Sequence, residues 1–180
     1  MTIEKRAAHD VKAEGRKLVG YAALFGQETR IADFHEQIAP GAFAGSLSAG
    51  KDILALVDHD TGKVLARTKS GTLRLSEDER GLKFEIQMPD TSLGRDLLTM
   101  AERSDLGGMS FGFSVNPEGE EWRGDRRTLR NVTLHEISVV QSFPAYEGTS
   151  VSARSRQPRT AAQRRLALLE LEGNVDVAIS

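Results

Sequence analysis

The chain has 180 residues, 24 Lys+Arg against 26 Asp+Glu for a net charge of −2, 39% hydrophobic residues and no cysteine. Its length suits one domain with or without a tail, and its near-neutral charge argues against a protein whose whole surface is basic for nucleic acid. The lack of cysteine excludes a disulfide scaffold, a cysteine nucleophile and every thiolate metal site.

No apolar run approaches the ~20 residues of a membrane helix. The opening Met-Thr-Ile-Glu-Lys-Arg-Ala-Ala-His-Asp has no apolar core of a signal peptide. The expectation is a soluble protein that is not secreted, has no membrane partner, and draws its chemistry from Ser, Thr, His, Asp, Glu or Lys.

Residues 1–15 are charged and lack a period, which predicts a loose arm. Leu18 to Phe25, bounded by Gly26, reads as a strand, and the polar stretch after it as a loop. Phe43 and Leu47 stand four apart between Gly41 and Gly50, which predicts a short helix. Ile53 to Val57 is a brief apolar strand ending at Asp58-His59-Asp60-Thr61-Gly62. Thr72 to Ser76 and Leu82 to Met88 alternate on either side of a Gly-ended turn, the pattern of a β-hairpin with one wet face. Asp90-Thr91-Ser92 offers N-caps to a helix carrying Leu93, Leu97, Met100 and Ala101.

Gly107-Gly108 leads into the strictly alternating Met109 to Val115, and Thr128 to Val140 reads as one long strand closed by Phe143-Pro144-Ala145-Tyr146. After Ser150 the composition turns basic, and a modest helix is predicted within Thr160 to Gly173. The expected division is an arm at 1–15, a domain at 16–154, and a basic linker with a short helical tail at 155–180. About six strands and two short helices predict a mainly β fold with flanking helices, of α+β class, closed into an antiparallel barrel or sandwich.

The segment around Ser110 carries the most chemical information. One face holds Met109, Phe111, Phe113 and Val115, and the other Ser110, Gly112 and Ser114. A row of small polar groups beside two glycines leaves room for an extended peptide and access to backbone N–H donors. The same pattern also suits a strand with one solvated face. Gly108-Met109-Ser110-Phe111-Gly112 matches the Gly-x-Ser-x-Gly of a nucleophile elbow, but an elbow needs a helix after the serine, and alternation here continues.

A serine nucleophile needs a base, and the chain has four histidines. His9 lies in the arm and His35 in a polar loop. His59 ends a strand between two carboxylates, where its charged form is favoured, and it suits either a base or a solvated turn. Asp58-His59-Asp60 also suggests a metal site, although no His-Glu-x-x-His is present. In the last strand, alternation places Leu134, Glu136, Ser138 and Val140 on one face. It places His135, Ile137 and Val139 on the other, which predicts a buried, structural His135. Glu136 suits either an orienter of a histidine or a salt bridge.

The order of His59, Gly-Met-Ser110-Phe-Gly-Phe, and Leu-His-Glu136-Ile-Ser-Val-Val with Pro144-Ala145-Tyr146 resembles the prohead maturation proteases of tailed bacteriophages, which are similar in fold and serine chemistry to the herpesvirus assemblins. Gly20-Tyr-Ala-Ala-Leu-Phe, Ile38-Ala-Pro-Gly-Ala-Phe43 and Leu56-Val-Asp-His59-Asp add to the resemblance, which covers roughly Gly15 to Arg154. It implies a serine endopeptidase on an assemblin-like barrel, with Ser110 as nucleophile, His59 as general base and Glu136 as third member. His135 is the alternative third member, because the assemblins carry a second histidine there. The oxyanion candidates are the backbone groups of Gly107, Gly108 and Phe111, and no cofactor or metal is expected.

The implied substrate is the scaffolding segment of the major capsid protein, and the enzyme itself. The implied place is inside the assembling procapsid in the host cytoplasm, as a homo-oligomer without a specific nucleic-acid partner. The other expectations are a non-catalytic capsid-assembly scaffold module on the same fold and a small serine esterase.

Overall fold

The computed structural model describes residues 3–8 and 10–142. His9, the Phe143 to Tyr146 segment, the basic linker and the tail helix lie outside the described residues. In chain order the strands and helices are β1 (Glu4–Ala8), β2 (Asp10–Glu14), β3 (Lys17–Leu24), β4 (Thr29–Ile31), β5 (Phe34–Ile38), α1 (Ala44–Ser48), β6 (Leu54–Val57), β7 (Asp60–Arg67), β8 (Leu73–Glu77), β9 (Gly81–Gln87), α2 (Ser92–Glu102), β10 (Gly108–Val115), β11 (Glu120–Arg123), β12 (Arg126–Leu129) and β13 (Val132–Val140).

The mainly β, α+β expectation is met, but the sheets do not close into a barrel. Among the described residues there are three: β1-β10-β13-β6-β7, β11-β12-β5-β4 and β2-β3-β9-β8. Two of the ladders, β13 on β6 and β12 on β5, are parallel. One core joins the sheets, with Leu18, Phe43, Phe84, Leu97, Phe111 and Phe113 almost wholly buried. Phe43 meets Phe111 edge-on at 5.5 Å, and Phe111 stacks on Phe113 at 5.2 Å, geometries that aromatic quadrupoles favour.

The hairpin of β8 and β9 and both helices lie where periodicity puts them. The Thr91 side chain caps α2 by accepting from Gly94 N–H at 3.1 Å. Three expectations are corrected. The stretch after Gly26 contains β4 and β5, which puts His35 in a strand. The long strand from Thr128 is two strands in different sheets, β12 and β13. The segment after His59 is not only a turn but the start of β7.

A fourth correction concerns the arm. Residues 1–15 are not loose: β1 pairs with β10 and β2 with β3. The inward residues of β1 are charged rather than apolar, so no hydrophobic period reveals them. Arg6 Nε donates to Glu36 Oε1 at 2.5 Å, and its guanidinium stands 5.5 Å from the Phe113 ring centre. Arg127, 6% exposed, donates to Glu4 at 2.6 and 2.8 Å, to Glu36 at 2.9 Å and to Glu120 at 2.5 Å. The cluster ties the five-stranded sheet to the sheet of β5, β11 and β12.

Removing one partner of such a cluster strands a buried charge. Arg127→Ala is therefore expected to lower unfolding free energy by about 3–5 kcal/mol in chemical denaturation; a loss under about 1 kcal/mol would show the cluster to be solvated. Burial pushes the Glu4 carboxyl up, but the Arg127 guanidinium bonded to it, with Arg6, outweighs burial and holds it below the usual glutamate range. A carboxyl lowered on folding contributes stability above its unfolded value of about 4.3, and that contribution is lost as pH falls through the folded value. Acid titration of thermal stability is expected to show the wild type losing more than a Glu4→Gln variant below that pH, with parallel curves contradicting the assignment.

Candidate active site

The site is built on the pairing of β10 with β13. Ser110 lies opposite Ser138, and Gly112 opposite Glu136. Directly opposed residues share a face, so Ser110, Gly112, Glu136 and Ser138 line one side of the sheet. Ala7 of β1 flanks Ser110 on its other edge. The register then shifts between Gly112 and Phe113, so that Phe113 opposes Leu134. His135 is the extra residue of this β-bulge.

The bulge corrects the facing expected from simple alternation. Leu134 does not share the face of Glu136; it packs opposite Phe113 in the core and is buried. His135 is not packed among Ile137 and Val139. Its Nε2 lies 2.8 Å from the Oγ of Ser114, a fully buried serine. Burial first, and then the Lys51 charge, lower the His135 pKa below the usual histidine value against the opposing pull of Glu136.

His59 reaches the same face from a tight turn. Val57 pairs with Asp60, which leaves Asp58 and His59 as a two-residue hairpin loop. Their φ values are 48° and 60°, both positive as a type I′ turn requires. For residues with a Cβ this conformation costs roughly 1–2 kcal/mol each. The turn is held by β13: Asp58 N–H donates to Val139 O at 3.0 Å, and the Asp58 carboxylate accepts from Gln141 N and Nε2 at 3.0 and 2.6 Å.

From this turn His59 Nδ1 approaches Glu136 Oε1 to 2.7 Å, with both side chains mostly buried. A carboxylate can only accept, so Nδ1 carries the proton and Nε2 of the neutral ring keeps its lone pair. The second carboxylate oxygen, Oε2, accepts from Ser138 Oγ at 2.6 Å, and Ser138 Oγ accepts from His59 N–H at 3.2 Å. A histidine oriented by a carboxylate can act as base toward a hydroxyl that reaches its free Nε2.

Of the sequence candidates, His59 and Glu136 are thus in contact, Ser110 shares their face at 3% exposure, and His135 pairs elsewhere. The small-residue face around Ser110 is buried rather than solvated. Gly108 stands at φ 129°, a conformation essentially closed to other residues. The Gly107 N–H donates to Val140 O at 2.8 Å, which engages that oxyanion candidate in the ladder. β10 remains extended through Val115, so the elbow geometry does not form. His35 pairs with Glu28 at 2.9 Å, away from these residues in sequence and sheet. Asp58 and Asp60 bond to Gln141 and Gly62, and among the described residues no group of three or more His, Asp or Glu is disposed to hold a metal.

In the sequence Gly112 reads as part of the small-residue face and Ser138 as a neighbour of Glu136, neither with a part in holding the carboxylate. A Cβ at Gly112 would collide with Glu136 Oε1 and crowd its Cδ at 3.1 Å, so only glycine leaves the carboxylate its place. Gly112→Ala is expected to cost about 1–3 kcal/mol of stability. Adding Glu136→Ala, which removes the atoms struck, should recover most of it in a denaturant double-mutant cycle. Additive losses would contradict this contact.

A family model described as caudovirus prohead serine protease matches residues 2–164. The prohead protease of Enterobacteria phage HK97 is 31% identical over 137 residues, which cover 74% of this chain and 58% of that protein. The chain thus spans less than two thirds of the length of that relative. No solved structure matches it.

Proposed function

The chain belongs to the caudovirus prohead serine protease family, and from that premise we propose that it is a serine endopeptidase of procapsid maturation with Ser110, His59 and Glu136 as its catalytic residues. The observation that carries this reading is the 2.7 Å contact of His59 Nδ1 with Glu136 Oε1 on the face that Ser110 shares. The contact supports Glu136 rather than His135 as third member, since His135 bonds to Ser114 instead.

In this mechanism Ser110 Oγ attacks the scissile carbonyl while His59 Nε2 takes its proton. Glu136 holds the Nδ1–H and stabilises the imidazolium that forms. The imidazolium then protonates the leaving amine, and water, activated by the same base, hydrolyses the acyl-enzyme. Phe111 is paired with Arg6 on one edge and Ile137 on the other, so of the sequence candidates the backbone N–H of Gly108 is the proposed oxyanion donor. No step calls for a cofactor.

The substrate we propose is the scaffolding segment of the major capsid protein, together with the protease itself. The reaction belongs inside the assembling procapsid in the host cytoplasm, with the protease acting as a homo-oligomer. The basic stretch from Arg154 to Arg165 then serves as a linker.

Co-expression with the capsid precursor tests the reading. Ser110→Ala and His59→Ala are expected to abolish cleavage while remaining folded, and Glu136→Ala to reduce it by less than Ser110→Ala. Full cleavage by folded Ser110→Ala would overturn the endopeptidase reading in favour of a scaffold module. A silent Glu136→Ala beside a crippled His135→Ala would move the third role to His135.

A further inference from the structure

Ser138 is fully buried on β13, directly opposite Ser110 and two residues beyond Glu136. Its hydroxyl makes two bonds that lead to the same pair of residues. The O–H donates to Glu136 Oε2 at 2.6 Å, and the oxygen accepts from the backbone N–H of His59 at 3.2 Å. With Oε1 on His59 Nδ1, both oxygens of the carboxylate are held, and its plane is fixed.

The second bond acts on the turn. His59 stands at φ 60°, a conformation a histidine adopts only when its surroundings over-determine it. The N–H of that strained residue points at Ser138 Oγ, so the hydroxyl sets the backbone from which the imidazole extends. Gly112 closes the arrangement on the far side, because a Cβ there would displace the carboxylate.

We infer that Ser138 is a positioning residue: one buried hydroxyl locks the His59 backbone to the Glu136 carboxylate and so fixes the imidazole for Ser110. The inference rests on the proposed roles of Ser110, His59 and Glu136. Ser138 touches no reacting atom. Its effect passes through the orientation of the other two, so it bears on the rate of the chemical step rather than on substrate affinity.

The test uses the full chain and a fluorophosphonate, a probe that needs no knowledge of the natural substrate. Ser110 Oγ forms a bond to phosphorus as the P–F bond breaks; fluoride leaves, and His59 takes the hydroxyl proton. Intact-mass time courses over a range of probe concentrations separate the limiting rate from the half-saturating concentration. Ser138→Ala is expected to lower the limiting rate about tenfold with half-saturation unchanged, and Ser138→Thr, which keeps the hydroxyl, to restore most of it.

In a Glu136→Ala background the inference predicts no further loss from Ser138→Ala, because the group it positions is gone. A wild-type rate in Ser138→Ala, or an equal additional loss in the Glu136→Ala background, would overturn the positioning role. If Ser138→Ala does not fold, Ser138→Cys, near in size but a weak donor, carries the same comparison. Undiminished labelling of Ser110→Ala would instead bring down the proposed function, and the two failures are distinct.

Discussion

The pairing of β13 against β10, with its one-residue bulge at His135, is the constraint on which the site depends. Before the bulge β13 puts Val132 and Leu134 opposite Val115 and Phe113, in the core. After it, without turning the strand over, Glu136 and Ser138 lie opposite Gly112 and Ser110. An unbulged strand of the same sequence would bury Glu136 among phenylalanines or put Leu134 on the polar face of Ser110 and Ser114. The extra residue lets one strand serve an apolar face at one end and a polar site at the other, a common use of bulges.

Two costs accompany this geometry, and each is held by contacts elsewhere. The first is backbone strain at Asp58 and His59, restrained by the Asp58 N–H donating to Val139 O and by Gln141 donating twice to the Asp58 carboxylate. The second is the burial of charge where β1 lies on β10. There Arg6 and Arg127 satisfy Glu4, Glu36 and Glu120 in one cluster. β1 covers the edge of the strand that carries Ser110, so the cluster that binds β1 also shields that strand from pairing with other chains.

Much of this was legible in the sequence where side-chain chemistry repeats at a structural period. The β8–β9 hairpin, the capped helix α2 and the alternation of β10 follow from spacing alone. Elements whose signal is ionic escaped: β1 turns Glu4 and Arg6 inward, and no apolar pattern marks it. The break between β12 and β13 escaped because it falls on only two polar residues, Arg130 and Asn131, between the apolar Leu129 and Val132. In the site, order and residue type pointed to Ser110, His59 and Glu136. The facing of His135 and Glu136 was beyond sequence, because a bulge changes phase without changing composition. Ser138 showed only as a neighbour of Glu136 on one face, since its second partner, the His59 N–H, comes from a turn 79 residues away.

The fold therefore contains two serine–histidine neighbourhoods on one strand: Ser110 on the face of His59 and Glu136, and Ser114 bonded to His135. Only the first includes a carboxylate that holds the imidazole, and this difference is the centre of the account. Peptide mapping by mass spectrometry of the chain after reaction with a fluorophosphonate decides between them. A phosphonyl group on Ser110 and none on Ser114 is expected; an adduct on Ser114 with Ser110 unmodified would contradict the assignment of Ser110 as nucleophile.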